Sequence, residues 1–148
     1  MSAPQPVPIG PLEPGEESAL LSLLERCGLP RDGARDHFAR ALVARQDGRI
    51  VGSALVELYP EGALLRSVAV EGELRGHRLG VRLTERALAL ARQHGARRIY
   101  LLTETAADFF PRFGFHAIAR ADVPASVQTS VEFTTACPQS AVVMEREL

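Results

Sequence analysis

A strand, a short basic loop with glycines and a helix follow one another between residues 63 and 94, and this succession most constrains the fold. Ala63–Val70 is almost wholly apolar, and Leu79–His94 carries an apolar stripe at helical spacing. The first amides of a helix have no intrahelical partner, and the helix dipole favours an anion there. Glycines let a phosphate approach the backbone closely. The segment therefore predicts an α/β unit that holds a phosphate-bearing ligand near Leu79, an ordinary helix cap being the alternative.

Apolar periodicity and turn residues divide the rest of the chain into further helices and strands. Helices are predicted over residues 16–27, 79–94, 106–112 and 125–133. Strands are predicted over residues 41–45, 49–58, 63–70, 98–103, 115–121 and 141–146, the first two joined by an Asp-Gly turn. This order predicts a single α/β domain with a mixed β-sheet flanked by helices. The domain is expected over residues 15–148, after an extended Pro-rich lead-in over residues 1–14.

Composition argues against several classes of protein. The 148 residues are 46% apolar with a net charge of −1, which favours a globular domain and disfavours a nucleic-acid partner. The apolar runs are too short to span a membrane, and no signal-peptide pattern opens the chain. Cys27 and Cys137 lack metal-site spacing, and isolated thiols are typical of a reducing compartment. We therefore expect a cytoplasmic protein without a metal or a membrane partner.

Two motifs resemble those of the GNAT N-acetyltransferase superfamily and occur in the same order as there. Residues 75–80 resemble its acetyl-coenzyme A loop, Gln/Arg-x-x-Gly-x-Gly/Ala, with Arg75 in the first position and Gly80 in the last. Arg78 replaces the usual middle glycine, and its guanidinium can itself pair with a phosphate. Residues 106–115 resemble the aromatic-rich helix and the turn that follows it. The resemblance implies a GNAT-like fold, an acetyltransferase activity and acetyl-coenzyme A as the cosubstrate.

A narrower resemblance extends over most of the chain from Arg45 onward. Residues 64–70, 100–106 and 132–133, with Cys-Pro-Gln-Ser-Ala at 137–141, are similar to small bacterial GNAT proteins associated with arsenic resistance. This resemblance implies an acetyltransferase, leaves its acceptor open and suggests a role in arsenic resistance. We expect the acceptor to be a small amino acid-like amine. Because no residue forms a convincing activated nucleophile, we also expect direct transfer in a ternary complex. The alternatives are a protein N-terminus or lysine as acceptor, and a non-catalytic coenzyme A-binding regulator or arsenic sensor. The oligomeric state is left open, with a homodimer as one alternative.

The superfamily resemblance also implies which residues hold acetyl-coenzyme A. The backbone of residues 68–70 is expected to hold the pantetheine arm, and Val70 to offer an amide to the oxyanion of the tetrahedral intermediate. The predicted cosubstrate-binding residues are Val68, Ala69, Val70, Arg75, Gly76, His77, Arg78, Leu79, Gly80, Phe109 and Phe110. Phe110 stands where the superfamily usually has a tyrosine that protonates the leaving thiolate. Coenzyme A is therefore expected to leave as a thiolate, unless another group or water protonates it.

Charged residues within apolar strands are the candidates for the acceptor site. A carboxylate is costly to bury unless it is paired, so Glu57 is expected to deprotonate or bind the amine. Arg66 is expected to clamp an oxyanion of the acceptor, and an ion pair between Glu57 and Arg66 is the alternative for both. Thr103 and Glu132 complete the expected substrate site. Cys137 is either a packed thiol or a reactive one, as a nucleophile or a ligand for trivalent arsenic.

Overall fold

The computed structural model describes residues 6–75 and 78–148, which form one mixed sheet with helices on both faces. The strands are β1 (Ile9–Pro11), β2 (Ala41–Gln46), β3 (Arg49–Tyr59), β4 (Gly62–Val70), β5 (Arg98–Thr103), β6 (His116–Ile118) and β7 (Val142–Glu147). The α-helices are α1 (Glu17–Arg26), α2 (Leu79–Gln93) and α3 (Ala125–Gln128). Shorter 3₁₀ helices cover Ala34–Arg40, Gly72–Leu74, Phe110–Phe113 and Arg120–Asp122, and a π-helical turn covers Glu132–Ala136. In this part of the chain no helix has the length and apolar composition that a bilayer crossing requires.

The strand order in the sheet is β1-β2-β3-β4-β5-β7-β6. β4 and β5 run parallel, and the other neighbouring strands are antiparallel. This arrangement confirms the predicted α/β fold with a mixed sheet flanked by helices. Ile9 in the Pro-rich N-terminal segment pairs with Ala44 of β2, so this segment adds an edge strand that the sequence did not predict.

α1 and α2 cover opposite faces of the central strands. Leu83 of α2 belongs to the same apolar cluster as Val56 of β3, whereas Leu24 of α1 belongs to the cluster that contains Leu55. Successive strand residues point to opposite faces, so β3 is buried on both of its sides. This burial explains why the sequence of β3 is nearly continuously apolar. The two helices thereby fix β3 and the adjacent β4 within the core.

β4 and β5 diverge towards their carboxyl ends. Ala63 and Leu64, at the start of β4, pair with β5, and the rest of β4 borders a cavity instead. Ser67 adopts a left-handed backbone conformation, φ 57°, near the point where the register with β3 shifts. The hydroxyl of Ser53 donates to the carbonyl oxygen of Ser67 at 2.7 Å and fixes this bulge from β3. Bulges bend the strand that carries them, which accounts for the separation of β4 from β5.

The C-terminal third departs most from the predicted elements. The helix predicted over residues 106–112 is a turn followed by a 3₁₀ helix, because Pro111 has no amide to donate. The strand predicted over residues 115–121 is shortened to β6. The helix predicted over residues 125–133 ends at Gln128 and gives way to the π-helical turn. This segment therefore approaches the sheet as a series of short turns.

Candidate active site

A cavity of about 900 Å³ lies between the diverging strands. Residues of β4, the end of β5, the start of α2 and the loop after α1 line it. The lining includes most residues predicted around the cosubstrate, namely Val68, Ala69, Val70, Arg75, Arg78, Leu79, Gly80, Phe109 and Phe110. It also includes three residues predicted at the acceptor site, namely Arg66, Thr103 and Glu132. Gly76 and His77, which were predicted at the phosphate loop, lie outside the described residues.

The start of α2 gives one end of the cavity a positive polarity. Arg78 precedes the helix in a left-handed conformation, φ 62°, and no described side chain caps the first amides. The first turn carries no acidic residue, and Arg75 and Arg78 line the cavity beside it. A Cβ at Gly80 would lie 3.5 Å from Phe109 and 3.6 Å from Val70, so the helix start lies close to both. Uncapped amides, the helix dipole and two guanidinium groups together favour a phosphate-bearing ligand.

The backbone of β4 faces the cavity along residues 68–70. Beyond Leu64, the described part of β5 provides no ladder partner for β4, so this edge borders the cavity. The carbonyl oxygen of Val70 accepts hydrogen bonds from Nε of Arg75 at 3.2 Å and from the thiol of Cys27 at 3.6 Å. Cys27 lies just after α1, and no local sequence signal connects it with this site. An unpaired strand edge next to an anion-binding end suits an extended arm that carries amide groups.

The end of β5 and the residues after it form a largely apolar wall of the cavity. Oγ1 of Thr103 accepts a hydrogen bond from the amide of Ala106 at 2.9 Å and so fixes the turn after β5. The rings of Phe109 and Phe110 meet edge to face with centroids 5.1 Å apart, and the Arg112 guanidinium lies 4.6 Å from the centroid of Phe109. Because neither phenyl ring carries an acidic proton, these two side chains provide shape and apolar contact.

The guanidinium of Arg66 is buried, and protein acceptors surround it. Nη1 lies 3.1 Å from Oε2 of Glu57, and Nη2 lies 3.5 Å from Oε2 of Glu132. The same two nitrogens donate to the carbonyl oxygens of Asp32 at 2.7 Å and Pro30 at 3.1 Å. Nε donates to the adjacent Ser67 hydroxyl at 3.1 Å. Four of the five N–H donors of this guanidinium are therefore hydrogen-bonded to the protein, and Glu132 forms an ion pair with it, so an acceptor oxyanion would have to compete with these partners.

Glu57 lies behind Arg66 and does not line the cavity. Its side chain is fully buried, as is that of Arg66, so the two form the ion pair that was the alternative to their separate roles. Oε1 of Glu57 accepts a hydrogen bond from the hydroxyl of Tyr59, and Oε2 also lies 3.6 Å from Nε2 of His37. Burial and this bond to Glu57 raise the pKa of Tyr59 to about 12, so its phenol stays protonated. Both oxygens of Glu57 are therefore engaged within the protein.

Glu132 is the first residue of the π-helical turn and Cys137 directly follows the turn, and both line the cavity. Burial raises the pKa of the Glu132 carboxyl, and Arg66 partly opposes that rise. Burial and the neighbouring Glu132 raise the pKa of Cys137 to about 12, so this thiol is protonated near neutral pH. Within residues 6–75 and 78–148, no three His, Cys, Asp or Glu side chains converge as a metal site.

Comparison with known proteins identifies relatives of this chain. Residues 9–115 match the family described as "Acetyltransferase (GNAT) family". The chain is 38% identical over 82 residues to an amino-acid acetyltransferase from Mycobacterium tuberculosis, a match that covers 54% of this chain and 46% of that protein. It is 29% identical over 112 residues to an N-acetyltransferase from Chlorobaculum tepidum, covering 73% of this chain and 72% of the other. The chain thus spans less than half the length of the M. tuberculosis relative.

Solved structures share the fold over nearly the whole chain. N-acetylglutamate synthase from Neisseria gonorrhoeae, solved with coenzyme A and N-acetyl-glutamate, superposes with a TM-score of 0.82 at 18% identity, covering 99% of this chain and 36% of that one. A Mycobacterium tuberculosis protein solved with CoA and NLQ gives a TM-score of 0.79 at 22% identity, covering 95% and 98% of the two chains. Together with the family match over residues 9–115, the fold shows that this chain belongs to the acetyltransferase (GNAT) family, a family of acyltransferases.

Proposed function

We propose that this chain transfers the acetyl group of acetyl-coenzyme A to the nitrogen of a small amino acid-like amine. The cavity between β4 and β5 carries the proposal, because it joins an anion-binding end at α2 to an unpaired strand edge. Two solved relatives contain coenzyme A together with N-acetyl-glutamate or NLQ, and one sequence relative is an amino-acid acetyltransferase. These relatives support an amino acid as the class of acceptor.

The cavity is suited to align the two substrates for direct transfer. The phosphates of the cosubstrate bind at the start of α2 with Arg75 and Arg78, and its pantetheine arm extends along residues 68–70. The amide of Val70 stabilises the oxyanion that forms as the amine attacks the thioester. The C–N bond forms, the C–S bond breaks, and coenzyme A leaves as a thiolate beside Phe110, since thiols have a pKa near about 8.5.

A ternary complex is favoured over an acetyl-enzyme intermediate. The thiol of Cys137, with its pKa raised to about 12, supplies almost no thiolate at neutral pH and is a weak nucleophile. Cys137 nevertheless lines the cavity, where its sulfur can contact an arsenic-bearing side chain. We therefore include amino acids that carry arsenic among the proposed acceptors. A role in arsenic resistance, a cytoplasmic location and a homodimer stay predictions.

The test is acetyl-coenzyme A turnover against a panel of amino acids, with and without arsenic-containing analogues. Peptides with a free N-terminus or an internal lysine form the comparison set. We expect coenzyme A release and N-acetylation of at least one small amine, both detected by mass spectrometry. Peptide acetylation alone would move the acceptor to the protein class. Tight coenzyme A binding without turnover on any amine would favour the non-catalytic regulator instead.

A further inference from the structure

The buried charges beside the acceptor end of the cavity do not balance. Glu57 and Glu132 both contact Arg66, so two carboxylates share one guanidinium. Glu57 is enclosed, with Tyr59, Arg66 and His37 around its oxygens. Glu132 is 4% exposed and belongs to the cavity lining. Of these two carboxylates, Glu132 is therefore the one whose charge a ligand in the cavity can contact.

We propose that the acceptor enters as an ammonium ion beside Glu132, and that Glu132 is the base that removes its proton. This inference rests on the proposed acetyl transfer and names the base and the charge state of the acceptor. It places the base on the π-helical turn rather than at Glu57, which stands one side chain further from the cavity, behind Arg66. Glu57 then acts as a positioning residue that holds Arg66.

The proton and electron balance of the step follows from this placement. The carboxylate of Glu132 takes one proton from R–NH₃⁺ and becomes a carboxylic acid, which leaves R–NH₂ with a free electron pair. That pair forms the C–N bond to the acetyl carbon, and the electrons of the C–S bond leave with sulfur. The nitrogen then loses its second proton to the departing thiolate, directly or through water. Glu132 finally releases its proton to solvent, giving one amide and one coenzyme A thiol per turnover.

The local structure holds Glu132 in place for this role. Its amide donates to the hydroxyl of Ser130 at 3.2 Å. Nη2 of Arg120 donates to the carbonyl oxygen of Phe133 at 3.3 Å, and its guanidinium lies 5.5 Å from the centroid of the Phe133 ring. The amide of Cys137 donates a hydrogen bond to the carbonyl oxygen of Glu132 at 3.1 Å and so closes the turn. These contacts fix the backbone that carries Glu132, and Nη2 of Arg66, 3.5 Å from Oε2, orients its carboxylate.

The charged groups around Glu132 define how the base titrates. Arg66 faces it from β4, Glu57 from β3, Asp32 from the loop after α1, and Cys137 from its own turn. Burial and the two acidic neighbours favour the protonated acid, whereas Arg66 and a hydrogen bond with the Cys137 thiol favour the carboxylate. An ammonium ion binding here adds a second positive charge, which favours the carboxylate form of Glu132.

The deciding experiment compares the pH profiles of kcat/KM for an amino acid acceptor in wild type and in Glu132→Gln. We expect a bell-shaped profile for the wild type. Its acidic limb reflects ionisation of Glu132, and its basic limb reflects deprotonation of the acceptor's ammonium group. Glu132→Gln should lose about 10²–10⁴-fold near neutral pH and rise monotonically towards the ammonium pKa, because only free neutral amine can then react. Glu132→Asp, which keeps a carboxylate, should keep the bell.

Two further arms separate a base from a merely structural residue. An amine whose pKa lies well below the assay pH arrives neutral, so wild type and Glu132→Gln should differ far less with it. Glu85→Gln, which removes a carboxylate from the exposed face of α2, is the matched control and should behave as wild type. A bell-shaped pH profile of kcat/KM that persists in Glu132→Gln would overturn the inference. So would a profile that loses its bell shape in Glu57→Gln instead. If wild type acetylates no amine at any pH, the proposed function itself fails.

Discussion

At the residue scale, Arg66 shows how a side chain suited to clamp a ligand can instead have its hydrogen-bond donors occupied by the protein itself. Its guanidinium donates hydrogen bonds to Glu57, the Ser67 hydroxyl and two backbone carbonyl oxygens, and it forms an ion pair with Glu132. A lysine retains the charge but presents its donors from a single nitrogen, so it cannot reach all of these acceptors. The sequence offered the Glu57–Arg66 pair only as the alternative to separate roles for the two residues. The backbone acceptors come from a distant loop and left no signal in the sequence.

We expect Arg66→Lys to lower the free energy of unfolding by about 1–3 kcal/mol for each buried acceptor left unpaired. Urea denaturation measures the loss. Arg49→Lys is the matched control, because the Arg49–Glu73 pair is exposed on both sides and should change little. Unchanged stability together with a raised acceptor KM would instead restore Arg66 to the role of an oxyanion clamp.

Cys137 is a second residue whose chemistry depends on its surroundings. With its pKa raised to about 12, it stays a thiol until the pH approaches that value, and only the thiolate alkylates rapidly. We expect iodoacetamide at pH 8 to modify Cys137 much more slowly in the native protein than in guanidinium, as peptide mass mapping will show. Glu132→Gln removes a charge that raises this pKa, so it should speed alkylation. Equal native and unfolded rates would contradict the assignment.

The raised pKa of Glu132 also makes stability depend on pH. The folded protein binds the proton of this carboxyl more tightly than the unfolded chain, so the resulting stabilisation is complete below the ordinary pKa of 4.5. It is lost as the pH rises through the higher folded pKa. We therefore expect the free energy of unfolding of Glu132→Gln, relative to wild type, to increase from pH 4 to pH 8 in urea titrations. A pH-independent difference would show that this carboxyl is not perturbed.

At the element scale, the long helices and central strands were the most predictable parts of the chain. α2 begins at Leu79, as the sequence predicted, because its apolar stripe and preceding glycine loop are unambiguous. β1 was missed, since three residues with a proline carry no strand periodicity and pair only because β2 presents a free edge. The π-helical turn was also missed, because its conformation depends on packing against β4 rather than on local preference.

The start of α2 provides the prediction for this scale. Gly80→Glu places a carboxylate where a phosphate is expected, and like charges in that position should weaken coenzyme A binding about tenfold or more. Gly80→Ala is the steric control, since its Cβ would meet Phe109 and Val70 at ordinary contact distances. Isothermal titration with coenzyme A compares both folded variants with wild type. Equal affinity for Gly80→Glu would remove the phosphates from this helix end.

At the scale of the whole molecule, the sequence predicted which segments meet but not how deep each residue lies. The strand–loop–helix motif and the aromatic segment both line the cavity, where the superfamily resemblance implied that they hold the cosubstrate. Glu57 and Arg66 are diagonal neighbours on the same face of β3 and β4, and only the assembled sheet shows that Arg66 lines the cavity whereas Glu57 does not. Cys27 reaches Val70 because α1 packs across the sheet, which depends on tertiary structure alone.

The divergence of β4 from β5 has a consequence for local unfolding. The ladder between the two strands is confined to the start of β4, so amides further along it lack one source of protection from hydrogen exchange. A pantetheine arm bound there would bridge the two parts of the sheet. We expect coenzyme A to slow exchange in residues 65–70 and 101–105 more than in β3, when measured by mass spectrometry. Uniform slowing would indicate only the general stabilisation that any ligand of the native state gives, and would leave the sheet divided when the ligand is bound.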